Sequence, residues 1–193
     1  MRTRIGSAAC RSTIGVVLAA GFVLLLPLLA MQITDEVIWD LADFAVAAAL
    51  LVGTGLTYEL AARKAGNIAY RAAVGVALAA ALLLVWINLA VGIIGSEDNN
   101  ANSMYFGVLA VGIIGAIVAR FRAHGMARAL FATALAQALV CVIALIIGLG
   151  SPWSPPAEIL ALNGFFAALF VGSALLFRYA AREHPPAGAG PEG

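Results

Sequence analysis

The sequence predicts an all-α polytopic membrane protein, a six-transmembrane-helix bundle closed by short loops. Three observations carry that reading. Apolar runs of ~18 or more residues recur along the chain, each long enough at ~1.5 Å per residue to cross a hydrocarbon core of ~30 Å. Of the 193 residues, 63% are hydrophobic and only 11% charged, with a mean hydropathy of +1.01. A soluble domain of that composition would have to hold much of its apolar surface in water. Finally, all 11 Lys and Arg fall at segment ends and connections on one side of the bundle.

The first apolar segment runs from about Ser12 to Met31, behind Arg2, Arg4 and Arg11. This basic lead-in also suits a signal peptide. The apolar stretch Ile14 to Ala30 exceeds the usual ~7–15 residues, and a cut after Ala30 would place Leu28 where a small residue is wanted. Removal of the segment would leave five spans and disturb no loop charge, so a retained span and a cleaved signal both stay open. The second segment runs from Val37 to Ala62. Glu59 stands four residues before Arg63 near its end, an i,i+4 pair expected to snorkel to the interface. The third runs from Tyr70 to Gly95, with Asn88 on a face shared by Ala77, Ala81, Gly92 and Gly95. Small residues of that kind allow close helix approach. The fourth, Ser103 to Arg120, is the shortest and leans on Arg120. The fifth, Met126 to Leu149, carries Thr133, Gln137 and Cys141 at i, i+4 and i+8. The sixth runs from Ala157 to Ala180. Residues 1–183 thus form one transmembrane domain, and the Pro/Gly-rich stretch 184–193 is expected to be a disordered cytoplasmic tail.

Loop charge sets the orientation. Arg2, Arg4 and Arg11, then Arg63, Lys64 and Arg71, then Arg120, Arg122 and Arg128, then Arg178 and Arg182 lie on one side. The opposite connections are Gln32 to Glu36, Ser96 to Asn102 and Gly150 to Pro156, without a single basic residue. The bias places the basic side, with both termini, in the cytoplasm. Trp39, Tyr105 and Trp153 fall at outer boundaries and Tyr58, Tyr70 and Tyr179 at inner ones, as an aromatic belt would. Leu-Ala-Val-Gly-Ile-Ile-Gly occurs at 89–95 and again at 109–115. It reads either as a trace of duplicated hairpins or as coincidence among Ala/Leu/Val/Gly-rich helices.

Polar residues inside a span are the informative ones, because each is costly in hydrocarbon. Glu36, Asp40, Asp43, Ala47, Thr54 and Tyr58 fall within an arc of roughly 60° on segment two. With the segment starting at Val37, Asp43 lies ~9 Å deep, where a carboxylate should face protein or water. Asn88 and Asn163 reach a similar depth from segments three and six. The functional reading is a polar pocket in the outer half, open to the outer face, formed by Asp40, Asp43, Asn88 and Asn163 with Gln137 at its floor. The competing reading is structural: amides act as interhelical glue at ~0.6–2 kcal/mol each, and Asp40 sits at the headgroup level. The run Glu97-Asp98-Asn99-Asn100 is expected to be a solvated turn, since a hard cation needs about six or more oxygens in a defined geometry.

Trp86 to Asn99, Leu162 to Ser173 and Tyr58 to Arg63 resemble stretches of a group of uncharacterised small multi-pass proteins of Gram-negative bacteria. The resemblance spans segments one to six, although that group more often carries proline at the place of Asn100. It implies an inner-membrane location and adds no activity or functional residue.

Several chemistries are unsupported. Both histidines, His124 and His184, fall in cytoplasmic loops, so no paired intramembrane haem ligands exist. Cys10 and Cys141 form no C-x-x-C pair. No lysine lies within a span, no H-E-x-x-H or Gly-rich phosphate loop is present, and Ser173 has no intramembrane histidine to activate it. The net charge of +1 gives nucleic acid no hold. No cofactor, metal site or enzyme is therefore expected. The best expectation is a small ion or solute transporter or channel-like protein in the lipid bilayer. The alternative is a non-catalytic partner subunit or scaffold, as a homo-oligomer or beside another membrane subunit.

Overall fold

A computed structural model describes residues 3–34, 38–63 and 67–183. Glu36, the glycine of the second connection (Gly66) and the tail 184–193 lie outside the described residues. Six helical spans, each long and apolar enough to cross a membrane, make up most of the described chain, the fourth being a 3₁₀ turn that runs into an α-helix over Asn100–Val118, with no strand among the described residues. The helices group into two compact units, residues 1–63 and 64–193.

The first unit is a helical hairpin of α1 (Thr3–Ile33) and α2 (Leu41–Arg63). Gly55 lets the two approach: a Cβ there would lie 2.5 Å from Val16 Cγ1. Ala20, Ala47, Ala61 and Ala62 are buried, whereas Leu18, Phe22 and Leu26 are exposed. The apolar exterior suits lipid, which solvates such side chains without penalty. Glu59 and Arg63 form the expected ion pair one turn apart.

The second unit holds α3 (Ile68–Ala90), a 3₁₀ turn (Asn100–Ser103), α4 (Met104–Val118), α5 (Ala123–Ile147) and α6 (Pro156–Glu183). Side by side, the helices run in the order α3, α6, α5, α4, and α3 and α4 barely touch each other. The core follows a helical stripe on α6, with Ile159, Asn163, Phe166, Phe170, Ser173 and Phe177 all buried. That spacing of three and four residues keeps them on one face. Tyr70 of α3 meets Phe177 edge-to-face at 5.0 Å, and Ser173 Oγ donates to the Ala73 carbonyl at 2.7 Å. On α4, Gly115 brings the backbone against α5, where an added Cβ would lie 2.6 Å from Ala129 Cβ. The α4–α5 turn passes through Arg120 and Phe121, both left-handed at φ 49° and 58°. Tyr70 Oη donates to the Phe121 carbonyl at 2.6 Å and ties that turn to α3.

Two expectations need correction. Segment three was read to Gly95, but α3 stops at Ala90. Gly92 and Gly95 adopt φ of 73° and 72°, a left-handed conformation that ends a helix and that glycine reaches without steric cost. Tyr105 and Tyr70 are not belt residues: both are buried and hydrogen-bonded. The two copies of Leu-Ala-Val-Gly-Ile-Ile-Gly fold differently, 89–95 as the end of α3 and the turn beyond it, 109–115 as the interior of α4, which favours coincidence over duplicated hairpins.

Candidate functional site

The acids of the expected pocket are placed by the start of α2. Asp40 precedes the helix and Asp43 is its third residue. Asp43 N–H donates to Asp40 Oδ1 at 2.9 Å, and Asp40 N–H donates to Asp43 Oδ2 at 2.9 Å. Trp39 packs edge-to-face on Phe44 at 5.2 Å. This is a reciprocal capping box closed by a hydrophobic staple, which satisfies helix N–H groups that would otherwise lack partners. Both carboxylates also lie against the positive end of the helix dipole. The pair therefore sits in the first turn of α2 and is exposed, not buried one-third of the way across. The tetrad Trp39-Asp40-x-x-Asp43-Phe44 holds the signal for this in the sequence.

The amides of the second unit divide between two places. Asn163 and Gln137 meet in the interior. Asn163 Oδ1 accepts from Gln137 Nε2 at 2.9 Å and from Tyr105 Oη at 3.1 Å. Its Nδ2 donates to the Ile159 carbonyl at 2.8 Å. One amide thus pins α4 and α5 to α6. Gln137 Oε1 is buried without a partner. Thr133, a turn away on α5, donates to its own helix at Ala129. Tyr105 was missed in the sequence because its position next to a loop suited a belt aromatic equally well.

The Asn88 side-chain oxygen makes no hydrogen bond to that node. Asn88 lies in the last turn of α3, is 6% exposed, and its Oδ1 has no hydrogen-bond partner. It lines a cavity of about 360 Å³ with Leu89, Glu97, Asp98, Ser103 and Phe106. The cavity opens where α3 and α4 are joined by a connection but hardly packed, at the end of the unit whose connections contain no arginine or lysine. Gln137 and Asn163 are not among its lining residues. In the first unit Asp40 and Asp43 cap α2; in the second, Gln137 and Asn163 join helices and Asn88 lines a cleft.

The rim of this cleft is built rather than loose. Asn102, buried to 4% exposure, accepts at Oδ1 from Ile93 N–H at 3.0 Å and Ile94 N–H at 2.9 Å, and its Nδ2 donates to the Ser96 carbonyl at 2.8 Å. Those N–H groups belong to residues beyond the end of α3, which no longer donate along the helix. Asn99 Oδ1 accepts from Ala101 N–H, and its Nδ2 reaches the Leu149 carbonyl at 2.9 Å. Gly95 N–H donates to Ser154 Oγ at 3.1 Å. The connection that composition marks as a solvated turn thus has a buried half, stitched to the α5–α6 connection, and an exposed half carrying Glu97 and Asp98. Among the described residues no group of three or more His, Cys, Asp or Glu is placed to hold a metal ion.

Compared with protein-family profiles, with curated proteins and with solved structures, the chain matches none. The resemblance noted in the sequence gains no support from those comparisons.

Proposed function

We propose that this multi-pass membrane protein lies in the bacterial inner membrane with both termini cytoplasmic, and acts as a small ion or solute transporter or channel-like protein. The cleft beside Asn88 is its outward-facing entry site. The distribution of all 11 Lys and Arg supports the orientation. One observation carries the functional part: a buried amide with an unpartnered oxygen lines a cavity large enough for a small molecule. The oxygen is itself enclosed; leaving a buried acceptor unmade costs ~1–3 kcal/mol, which a ligand donor would offset once the side chain turns into the cleft.

The test is flux in proteoliposomes under imposed gradients of Na⁺, K⁺, choline or glycine. Movement of one of them above empty liposomes, reduced at least severalfold by Asn88→Leu, is the expected result. Traces equal to empty liposomes for all four probes would refute a transport role.

The second reading is a non-catalytic partner subunit or scaffold. It is favoured by the Tyr105–Asn163–Gln137 node, whose amides join helices. Native gels of the purified protein separate the two readings. A monomer without a companion chain, combined with flux, excludes the scaffold.

A further inference from the structure

We propose that the outer face of the α5–α6 pair binds an anionic phospholipid, its phosphate held at the arginine-bearing end and one acyl chain laid along the furrow between the two helices. This site is independent of the cleft beside Asn88.

Uncompensated charge at one end of the pair supports this first. Arg128 of α5 and Arg178 and Arg182 of α6 are exposed. None of the three forms an ion pair among the described residues. The sequence has no acid between residues 99 and 157 or between 159 and 182. Arg63 in the other unit is the contrast, since Glu59 already neutralises it. Loop orientation requires only that basic residues stay on one side. It does not require them to gather across two packed helices without a counter-charge.

The charge is also held in place. The Arg178 guanidinium stands over the ring of Phe131 on α5, 6.0 Å from its centroid. Arg128 precedes Phe131 by three residues and so belongs to the same face. A side chain laid across the boundary between α5 and α6 has less freedom to lose when it binds. A guanidinium also presents its N–H groups as a planar fork that matches phosphate oxygens.

Below the arginines the surface is shaped for a chain rather than for a free anion. On α5, Phe131, Leu135, Ala138 and Val142 recur at three and four residues and share one face. Leu135 is 72% exposed and Val142 50%. On α6 the same spacing runs back from Arg178 through Leu175, Val171, Ala168 and Gly164. A Cβ added at Gly164 would meet nothing within 4 Å, so the α6 side of the furrow is low while leucines stand on the α5 side. From Phe131 to Val142 the furrow extends ~16 Å, which is the depth of one leaflet of a ~30 Å core. An acyl chain of that length keeps its phosphate level with Arg128 and Arg178. A phosphate free in water would have only the exposed, salt-screened arginines to hold it.

Native mass spectrometry of the full chain, released from micelles holding equal amounts of phosphatidylglycerol and phosphatidylcholine, provides the test. Phosphatidylglycerol should be retained at least ~5-fold over phosphatidylcholine, as expected for one or more arginines acting at ~1 kcal/mol each near a lipid surface. Arg128→Gln with Arg178→Gln should bring that ratio below ~2, and Phe131→Leu should lower it ~2–3-fold by freeing Arg178. All three side chains lie at the surface, so the variants keep their fold. Arg71→Gln with Arg120→Gln removes the same charge from α3 and α4 and should leave the ratio unchanged. A wild-type ratio near one overturns the proposal, as does an equal fall in both double variants, which would mean diffuse charge rather than a site. A dimer that sheds lipid and becomes monomeric with Gly164→Leu assigns the furrow to a second copy of the chain and overturns it as well.

Discussion

Replacing Asn102 by alanine would withdraw the carboxamide that ends α3. Its Oδ1 satisfies two backbone N–H groups, Ile93 at 3.0 Å and Ile94 at 2.9 Å. Ile93 and Ile94 are 1% and 0% exposed, so water has little access to those N–H groups. Each buried donor left unmade costs ~1–3 kcal/mol, which puts the pair at ~2–6 kcal/mol. The Ser96 carbonyl loses its Nδ2 donor as well, but an acceptor at the edge of the connection can turn to solvent. The alternative of continuing α3 through Gly92 to recapture the N–H groups would displace Ser96 and Asn99 from their partners. Stability of the purified protein, followed by Trp86 and Trp153 fluorescence during denaturation in mixed micelles, reads the loss. At ~2–4 °C per kcal/mol for a chain of this size, the midpoint should fall by at least ~4 °C. Asn102→Asp keeps the double acceptor and sets a second carboxylate oxygen against the Ser96 carbonyl, so its midpoint should fall between those of wild type and Asn102→Ala. An Asn102→Ala protein within ~0.5 kcal/mol of wild type would refute the idea that this side chain holds the turn.

The interior node yields an ordering: Asn163→Leu strands the Tyr105 hydroxyl and the Gln137 amide and should cost ~2–4 kcal/mol. Gln137→Leu breaks a single bond and also removes an oxygen that already lacks a partner, so it should cost under ~1 kcal/mol. Denaturation of the two variants in the same micelles decides it, and equal losses would mean that the node is not built on Asn163. Asp40→Ala removes the cap of α2 and should destabilise the hairpin by ~0.5–2 kcal/mol, measured by protease susceptibility of residues 1–63, while flux stays at the wild-type level. A collapse of flux without loss of stability would return Asp40 to a transport path. Gly115→Leu places a side chain where Ala129 Cβ stands and should cost ~1–3 kcal/mol by overpacking. A variant that melts with wild type would show that α4 and α5 are further apart than described.

The existence and order of the six helices were legible because apolar length and the rhythm of basic loops are local properties. Their ends were less so. Val91 to Gly95 is as apolar as the helix before it, and hydropathy does not distinguish a buried turn from another turn of helix. What ends α3 is the conformation of two glycines and an acceptor supplied by Asn102, ten residues beyond Gly92. The same seven residues remain helical at 109–115, where no such acceptor is offered. The acids of α2 were legible in another way. Reading the segment from Val37 gives Asp43 depth and makes the stripe look like a pathway, whereas the local pattern around Asp40 identifies the helix start and explains both carboxylates. The burial of Asn88 was legible because an amide inside a span favours protein over lipid, although two glycines of the strip read beside it, Gly92 and Gly95, lie beyond the end of α3.

The short helix α4 has a consequence for the surrounding lipid. Its 15 α-helical residues rise ~22 Å, against a hydrocarbon core of ~30 Å. The 3₁₀ turn before it supplies four more residues at ~2 Å each, which closes the difference. The lip of the cleft is therefore the part of this span that adjusts to membrane thickness. Longer acyl chains press hydrocarbon against Asn100 and Ser103, and each ångström of mismatch costs a fraction of a kcal/mol. On the proposed role of the cleft, access to it would follow the length of the lipids beside α4, and bilayer composition would be a control variable for it.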